Sequence, residues 1–256
     1  MGTRITPYAT PESEAKKHQV ARMFDNIAEK YDFLNHLFSF GIDVLWRKKA
    51  LRHLEQRLQS TTPDGQIRLM DMATGTADFA IEAVRSGRLP YHVTGVDISP
   101  GMLEVGRRKI KKRGWHHQIE LMEGDSVQLP FETGTFDAYT VAFGVRNFED
   151  LRGGLTEMHR VLKPGGWGVV LEFSKPRKFP MKQLFRFYFH TIMPVIGRWV
   201  SKDASAYTYL PESVAAFPEG DGFLHEMEAC GYTQFEALPL TGGIATIYFG
   251  QKPIQP

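Results

Sequence analysis

The sequence contains very little cysteine: Cys230 is the single thiol among its 256 residues. One cysteine cannot form an intrachain disulfide, which excludes the small disulfide-stabilised secreted domains and suits a reducing compartment. The sequence also lacks the run of ~20 uninterrupted apolar residues that a membrane-spanning helix needs. Its first stretch is polar and has no apolar core of the kind that a secretory signal carries. We therefore expect a cytoplasmic protein.

The sequence also has little excess of positive over negative charge. The formal net charge is +2, far from the strong basic excess that general nucleic-acid binders show, so we expect no nucleic-acid partner. The histidines are scattered, without a His-x-x-x-His pair or a Cys/His cluster at ligand spacing, and we expect no metal site. With 42% hydrophobic and 23% charged residues, the composition is that of an ordinary globular protein.

The central motif of the sequence is IRLMDMATGTADFA, at residues 67–80. An apolar run ends at Asp71, a turn follows at 74–76, and Asp78 stands where it can cap a helix. The glycine fingerprint of dinucleotide sites is missing, because Ala73, Gly75 and Asp78 occupy the positions of Gly-x-Gly-x-x-Gly. The motif therefore predicts a strand, turn and helix that bind a ligand other than a dinucleotide.

A second predicted strand, at 91–98, contains Asp97 near its end. A carboxylate in that place can accept hydrogen bonds from two ribose hydroxyls. Asp71 and Asp78 flank the preceding turn, and they would repel a pyrophosphate. They suit a cation such as the sulfonium and amino group of S-adenosyl-L-methionine. On this stretch alone, an ordinary turn between strand and helix without a ligand remains the alternative.

The pattern along the chain predicts three parts. Residues 1–19 are polar, and we interpret them as a mobile N-terminus. Apolar residues recur at helical spacing over 20–60, which predicts an N-terminal helical addition that either closes over a ligand or covers the sheet. Strands and helices alternate over 66–256, which is typical of a mainly parallel sheet with ligands at its carboxyl edge. A glycine-rich turn at 238–243 predicts a final antiparallel hairpin.

The segment 175–202, which we call the lid segment, is both basic and aromatic. Its basic residues are Lys175, Arg177, Lys178, Lys182, Arg186, Arg198 and Lys202, and it contains no Asp or Glu. Its polar positions recur at helical spacing and leave a broad apolar face. Such a segment is typical of peripheral contact with the inner face of a membrane. The same face could instead pack on the sheet or form a homodimer contact.

Four stretches resemble a known family: MFDNIAEKYDFLNHLFSFGID at 23–43, MDMATGTAD at 70–78, FGVRNFED at 143–150 and RVLKPGGWGVVLEFSKP at 160–176. Through them the chain resembles the class I S-adenosylmethionine-dependent methyltransferases, and more narrowly the ubiquinone/menaquinone biosynthesis C-methyltransferases. The resemblance implies a Rossmann-like α/β fold. It also implies a mainly parallel seven-stranded sheet with helices on both faces and a C-terminal antiparallel hairpin.

The resemblance also implies a reaction. That family methylates a ring carbon of a polyprenylated quinol, converting demethylmenaquinol to menaquinol or acting on the corresponding benzoquinol. S-Adenosyl-L-methionine is the implied methyl donor. The family's cofactor contacts fall here on Thr76, Asp97 and the pair Asp125 and Ser126. A further contact, a serine in some members, is Ala142 in this sequence and is not expected to form.

Methylation of a ring carbon sets a chemical requirement. A quinol hydroxyl has a pKa near ~10, so its ionisation at neutral pH costs ~4 kcal/mol. A base, or a cation beside the developing phenolate, can offset that cost. We predict that Arg146 stabilises the phenolate or organises a water, and that Asn147 forms a hydrogen bond to the acceptor. The structural alternative for Arg146 is an ion pair with Glu149 or Asp150.

Tyr31 and Asp32 are predicted as further acceptor contacts, although aromatic residues on an amphipathic helix commonly belong to a core. Two rival methyltransferase classes lack their signatures. Enzymes that methylate exocyclic amines of bases carry Asp/Asn-Pro-Pro-aromatic where residues 143–147 read FGVRN, and pyrimidine C5 enzymes need a cysteine nucleophile that Cys230 does not supply. Another small aromatic acceptor, and a non-catalytic scaffold role in quinone synthesis, stay open.

Overall fold

The structure, a computed structural model, describes residues 5–8, 14–39, 41–61, 65–188, 191 and 205–254. Its strands are β1 (Ile67–Met72), β2 (Tyr91–Asp97), β3 (Ile119–Glu123), β4 (Phe136–Ala142), β5 (Leu162–Phe173), β6 (Thr233–Leu240) and β7 (Ala245–Gln251). They form one seven-stranded sheet in the order β3-β2-β1-β4-β5-β7-β6. The first five strands run parallel, and β7 is antiparallel to both β5 and β6. The predicted fold class and the final hairpin are confirmed.

Helices cover both faces of the sheet. Those in the described ranges are α1 (Lys16–Ser39), α2 (Ile42–Thr61), α3 (Asp78–Ser86), α4 (Pro100–Arg113), α5 (Leu151–Val161), α6 (Met181–Phe187), α7 (Ser205–Ala216) and α8 (Asp221–Ala229). Successive side chains of β1 point to opposite faces: Leu69 packs in the cluster that contains α2 and α3, and Met70 in the cluster that contains α5 and α8. The apolar residues of β1 therefore pack into a hydrophobic cluster on each face of the sheet.

Two helix starts differ in how they are capped. Ser99 caps α4, since its side chain accepts a hydrogen bond from the Met102 amide, and Pro100 opens the helix. The prediction that Asp78 caps α3 is wrong. The cap position is Ala77, in the left-handed region at φ 65°, and it makes no side-chain capping bond. Asp78 is the first helical residue, and its carboxylate pairs with Lys109 at 2.5 Å.

Helix α1 begins at Lys16, so the end of the segment predicted to be mobile is helical. The helix is tied to α4 by polar contacts along its length. Asp25 accepts hydrogen bonds from the Ser99 hydroxyl at 2.6 Å and the Gly101 amide at 2.8 Å. Asp32 pairs with Lys109 at 2.7 Å. These contacts hold α1 across the end of the sheet where β2 leads into α4.

The lid segment is described as far as Tyr188 and again at residue 191, and it contains α6. Arg198 and Lys202, two of its seven predicted cations, lie outside the described residues. Among the helices in the described ranges, none is long and apolar enough to cross a membrane.

Candidate active site

A cavity of about 230 Å³ lies at the carboxyl edge of the parallel strands. This is the edge where doubly wound sheets bind ligands, because the loops that follow the strands diverge there. Helix α1 forms one wall with Lys17, Val20, Phe24 and Tyr31. The segments that follow β1 to β4 form the rest, with contributions from Met72, Ala73, Gly75, Asp97, Ile98, Gly124, Asp125, Ser126, Val127, Phe143, Gly144, Asn147 and Phe148.

Asp71 lies beneath the turn after β1 and does not line the cavity. Its side chain is buried, and its two oxygens accept hydrogen bonds from Thr74 Oγ1 at 2.6 Å and Thr140 Oγ1 at 2.7 Å. Burial raises the pKa of Asp71 to about 6, and these bonds act in the opposite direction. The residue thus holds the turn in place from below, whereas the sequence predicted it as a cofactor contact.

Asp97 lies at the end of β2 and faces the cavity. One of its oxygens accepts from the Gly75 amide at 2.7 Å, and the other from the Ser99 amide at 2.9 Å. Each carboxylate oxygen has two lone pairs, so each can accept one further hydrogen bond. Burial raises the pKa of Asp97 to about 6, against the effect of the backbone donors. Asp97 therefore presents a fixed carboxylate at the cavity wall.

Asp125 and Ser126 line the cavity beyond β3, as predicted for a cofactor site. Asp125 accepts from the Val127 amide at 3.2 Å and pairs with Lys17 of α1 at 2.9 Å. Ser126 is buried, with 7% of its surface exposed. The loop after β3 is thereby joined to α1 by a contact that closes one side of the cavity.

Thr76 and Asp32 do not line the cavity, although the sequence predicted a ligand contact for each. Thr76 donates to Asp32 at 2.5 Å, and Lys109 donates to Asp32 at 2.7 Å and to Thr76 at 3.1 Å. The three side chains fasten α1 to the start of α3 and to α4. Tyr31, one residue before Asp32, does line the cavity, and burial raises its pKa.

Arg146 belongs to a short 3-10 turn, Val145–Asn147, that follows β4. Its guanidinium donates to Glu172 at 2.7 Å and to the Phe143 carbonyl at 2.5 Å. Glu172 is fully buried near the end of β5, the neighbouring strand, and burial raises its pKa while Arg146 acts to lower it. The sequence did not predict this partner. An acidic residue near the end of a strand next to β4 was the signal that could have revealed it.

The predicted alternative partners of Arg146 have other roles. Asp150 caps α5 by accepting from the Gly153 amide at 2.9 Å, and Glu149 accepts from the Lys16 amide at 3.1 Å. Asn147 lines the cavity and is 7% exposed. Arg146 lies beside the cavity rather than on its surface, with 8% of its side chain exposed. The two predicted acceptor residues are thus adjacent, and they differ in their access to the cavity.

The cavity has two further chemical features. Among the described residues, the carboxylates that line it are Asp97, Asp125, Glu149 and Asp150 and the one basic side chain is Lys17, so this wall favours a cationic ligand. Gly144 lets the segments after β1 and β4 meet, because a Cβ at this position would lie 2.4 Å from the Cβ of Ala73. Within the described ranges, no three His, Cys, Asp or Glu residues are grouped as a metal site would require.

The chain is similar in sequence and in fold to known proteins. The sequence model of the ubiE/COQ5 methyltransferase family matches residues 12–252. The chain belongs to this family. It is 46% identical over 249 residues to the demethylmenaquinone methyltransferase of Bacteroides fragilis, with 97% of this chain and 98% of the relative covered. It is 44% identical to the demethylmenaquinone methyltransferase of Porphyromonas gingivalis over the same length and coverage.

A ubiE/COQ5 relative from Geotalea daltonii, named ubiquinone/menaquinone biosynthesis C-methyltransferase UbiE, is 43% identical over 93% of this chain and 97% of its own. Among solved structures, the [4+2]-cyclase SpnF matches with a TM-score of 0.63 at 20% identity, covering 93% of this chain and 97% of that one. Haemonchus contortus phosphoethanolamine N-methyltransferase 2, solved with S-adenosyl-L-methionine, matches with a TM-score of 0.57 at 13% identity. The match covers 90% of this chain and 60% of that one. At these identities the structures show the fold. The predicted family membership and the predicted enzyme class, a methyltransferase, are confirmed.

Proposed function

We propose that this member of the ubiE/COQ5 family transfers a methyl group from S-adenosyl-L-methionine to a ring carbon of a polyprenylated quinol. Demethylmenaquinol is the favoured acceptor. The observation that carries the proposal is the match, at 44–46% identity and over 97% of the chain, to two enzymes named demethylmenaquinone methyltransferase. The corresponding ubiquinone-precursor benzoquinol is the second candidate, because relatives named UbiE match nearly as well.

The donor end of the cavity suits S-adenosyl-L-methionine. Asp97 supplies the two acceptor positions that ribose hydroxyls require, and Asp125 and Ser126 supply polar atoms farther along the same wall. The carboxylates around the cavity favour a sulfonium. When bound, S-adenosyl-L-methionine would supply an electrophilic methyl group. A ring carbon of the quinol would take it while the sulfur keeps the electron pair of the broken bond, and the proton on that carbon would pass to water.

The segment that follows β4 forms the part of the cavity that we assign to an aromatic acceptor and call the acceptor end. Phe24, Tyr31, Phe143 and Phe148 contribute aromatic rings to the cavity wall. Asn147 places a polar side chain at the edge of this wall, and Arg146 stands behind it. Because Arg146 is held by Glu172, it acts as a fixed hydrogen-bond donor beside the developing phenolate rather than as a free cation. Preorganised donors of this kind stabilise charge that forms during the reaction.

Helix α1, most of which lies in the predicted addition 20–60, closes over the cavity once the methyl donor has entered. Lys17 of this helix contacts Asp125, and Tyr31 lines the cavity beside Gly75, so the helix contacts the segments that follow β3 and β1.

The lid segment provides membrane contact on the cytoplasmic side. Phe179 is 81% exposed, Leu184 57% and Phe187 58%, and they share the segment with Lys178, Lys182 and Arg186. Each Lys or Arg near an anionic leaflet contributes about 1 kcal/mol. The test compares liposome binding by wild type and by the variant Lys178→Glu, Lys182→Glu, Arg186→Glu at two salt concentrations. Equal binding by the two proteins, or wild-type binding insensitive to salt, would exclude an electrostatic contact.

The test of the reaction uses purified protein, S-adenosylmethionine labelled in its methyl group, and short-chain acceptors. We expect label in the ring of a demethylmenaquinol analogue, with slower transfer to the benzoquinol. Transfer to the benzoquinol alone would replace the favoured acceptor by the second candidate. Donor binding without transfer to either quinol would favour a scaffold role or another aromatic acceptor.

A further inference from the structure

Three buried polar atoms near the acceptor end of the cavity have no hydrogen-bond partner in the described part of the chain. They are Arg146 Nε, Asn147 Oδ1 and the Tyr209 hydroxyl. Buried polar atoms in native proteins are nearly always hydrogen-bonded, so each exception calls for a ligand or a water. Arg146 and Asn147 are neighbours in sequence after β4, whereas Tyr209 comes from α7, a helix that the sequence analysis did not connect with the site.

The packing of Tyr209 brings it to the same end of the site. It is 3% exposed, and it lies in one apolar cluster with Val20 and Met102, both of which line the cavity. The same cluster includes Tyr31 and Phe173 at its margin. Helix α7 also contacts the 3-10 turn that carries Arg146. Tyr209 is not itself one of the residues that line the cavity; it packs behind Val20 and Met102, and its helix contacts the turn that follows β4.

The electrostatic surroundings of the hydroxyl agree with this position. Burial raises the pKa of Tyr209 to about 12, with Arg146 acting to lower it and Glu172 acting to raise it. The hydroxyl is thus close enough to feel both members of the buried ion pair, and it stays protonated at physiological pH. It can donate a hydrogen bond to an oxygen that becomes negative.

Similar atoms elsewhere do not form such a group. The other unpaired buried atoms that the described residues show belong to Tyr91, His159 and Trp167. Tyr91 begins β2, and His159 lies in the last turn of α5, so both are at the amino edge of the sheet. Trp167 lies in the first half of β5. The three atoms of Arg146, Asn147 and Tyr209, two hydrogen-bond donors and one hydrogen-bond acceptor, lie instead at the carboxyl edge, near the cavity.

We propose that the acceptor of the reaction described above reaches the buried Tyr209 when it binds, with the Tyr209 hydroxyl donating a hydrogen bond to a ring oxygen of the quinol. Arg146 Nε donates to the same oxygen, and Asn147 Oδ1 accepts a hydrogen bond from the hydroxyl of the neutral quinol. When the quinol ionises, its proton passes to water, and the two donors remain on the phenolate. Hydrogen bonds to a charged acceptor are about twice as strong as neutral ones, so this arrangement lowers the pKa of the bound quinol.

The inference rests on the proposed function, and the experiment separates the two. The variant is Tyr209→Phe, which retains the ring and removes the hydroxyl. The matched control is Tyr91→Phe, because Tyr91 is equally buried but lies at the far edge of the sheet. Thermal unfolding and S-adenosylhomocysteine affinity are measured first, and we expect wild-type values for Tyr209→Phe in both.

Turnover of the short-chain quinol is then measured against pH. We expect kcat of Tyr209→Phe to fall by about 10²-fold, as for the loss of one donor to a developing oxyanion. We expect its pH optimum to move upward, because the bound quinol is harder to ionise. Tyr91→Phe keeps the wild-type kcat and profile. Wild-type kcat and an unchanged profile in Tyr209→Phe would overturn the inference while leaving the proposed function intact.

A binding measurement makes the result independent of turnover. A naphthol is titrated spectrophotometrically in the complex with S-adenosylhomocysteine, and we expect its bound pKa to be about one unit lower in wild type than in Tyr209→Phe. A wild type that shows this difference but transfers no methyl to quinols would retain Tyr209 as a phenol contact and refute the proposed function. Equal naphthol pKa values in the two proteins, or no binding of the naphthol, would refute the role of Tyr209.

Discussion

The two ends of the cavity differ in how their polar atoms are satisfied. At the donor end, Asp71 and Asp97 each receive two hydrogen bonds from the protein, and these bonds fix the turn after β1. At the acceptor end, Arg146, Asn147 and Tyr209 each retain an unpaired buried atom among the described residues. The polar groups of the donor end are therefore hydrogen-bonded within the protein, whereas those of the acceptor end leave hydrogen-bonding capacity unused.

The largest expected effect comes from breaking the acceptor end at Arg146. Arg146→Ala leaves Glu172 buried without its partner, and loss of one member of a buried ion pair costs about 3–5 kcal/mol. We expect the melting temperature to fall by roughly 10 °C, together with loss of turnover. Calorimetry and the quinol assay measure the two effects.

The control for this change removes both charges, as Arg146→Met with Glu172→Gln. We expect stability near that of wild type and no recovery of turnover, because the fixed donor is still absent. A single Arg146→Ala variant with wild-type stability would show that Glu172 does not depend on Arg146.

At the donor end, Asp97→Asn should weaken S-adenosylhomocysteine binding by at least about tenfold, since a hydrogen bond to a charged group is worth about 1.5–3 kcal/mol. Titration calorimetry measures the affinity. Asp137→Asn is the matched control: Asp137 is also buried and also accepts from a backbone amide, that of Arg68 at 2.9 Å, but it does not line the cavity. Equal losses of S-adenosylhomocysteine affinity in both variants would mean that Asp97 stabilises the fold and does not contact the ligand.

The raised pKa of Asp97 predicts two opposite dependences on pH. The ionised form accepts ribose hydroxyls, so affinity for S-adenosylhomocysteine should fall below pH about 6, by up to tenfold per unit. Folding raises this pKa from 3.8 to about 6, so its contribution to stability is present below pH 3.8 and is lost as the pH rises through about 6. Titrations between pH 5 and about 7.5 check the first dependence. If the affinity of Asp97→Asn for S-adenosylhomocysteine falls with pH as steeply as that of wild type, another group causes the pH dependence.

The smallest effect concerns how firmly α1 covers the donor end. Lys109→Met removes the cation shared by Asp32, Thr76 and Asp78, and we expect S-adenosylhomocysteine to dissociate a few times faster, with little change in kcat. Stopped-flow displacement measures the rate. Arg108→Met serves as the control, because Arg108 pairs with Glu29 in an exposed position one residue earlier on α4, where an ion pair contributes little. Similar rates in both variants would mean that α1 is held by its apolar face.

The sequence predicted the fold more completely than the site. Strand ends could be read from apolar runs, so Asp97 was placed correctly beside a cavity. The direction of a side chain within a turn could not be read, so the hydrogen bonds from Thr74 to Asp71 and from Thr76 to Asp32 were not predicted. Glu172 required knowing that β4 and β5 are neighbours. Tyr209 required the tertiary packing of α7, which no local pattern encodes.

The close approach of Gly144 to Ala73 restricts the paths by which this site can evolve. Ala73 has a φ of 53°, a conformation that glycine adopts at less cost, and its Cβ occupies the space that any side chain at 144 would need. A substitution at 144 is therefore tolerated after residue 73 has become glycine, and not before. A library that varies both positions should recover double variants from which the single changes at 144 are missing, so the history of one position constrains the other.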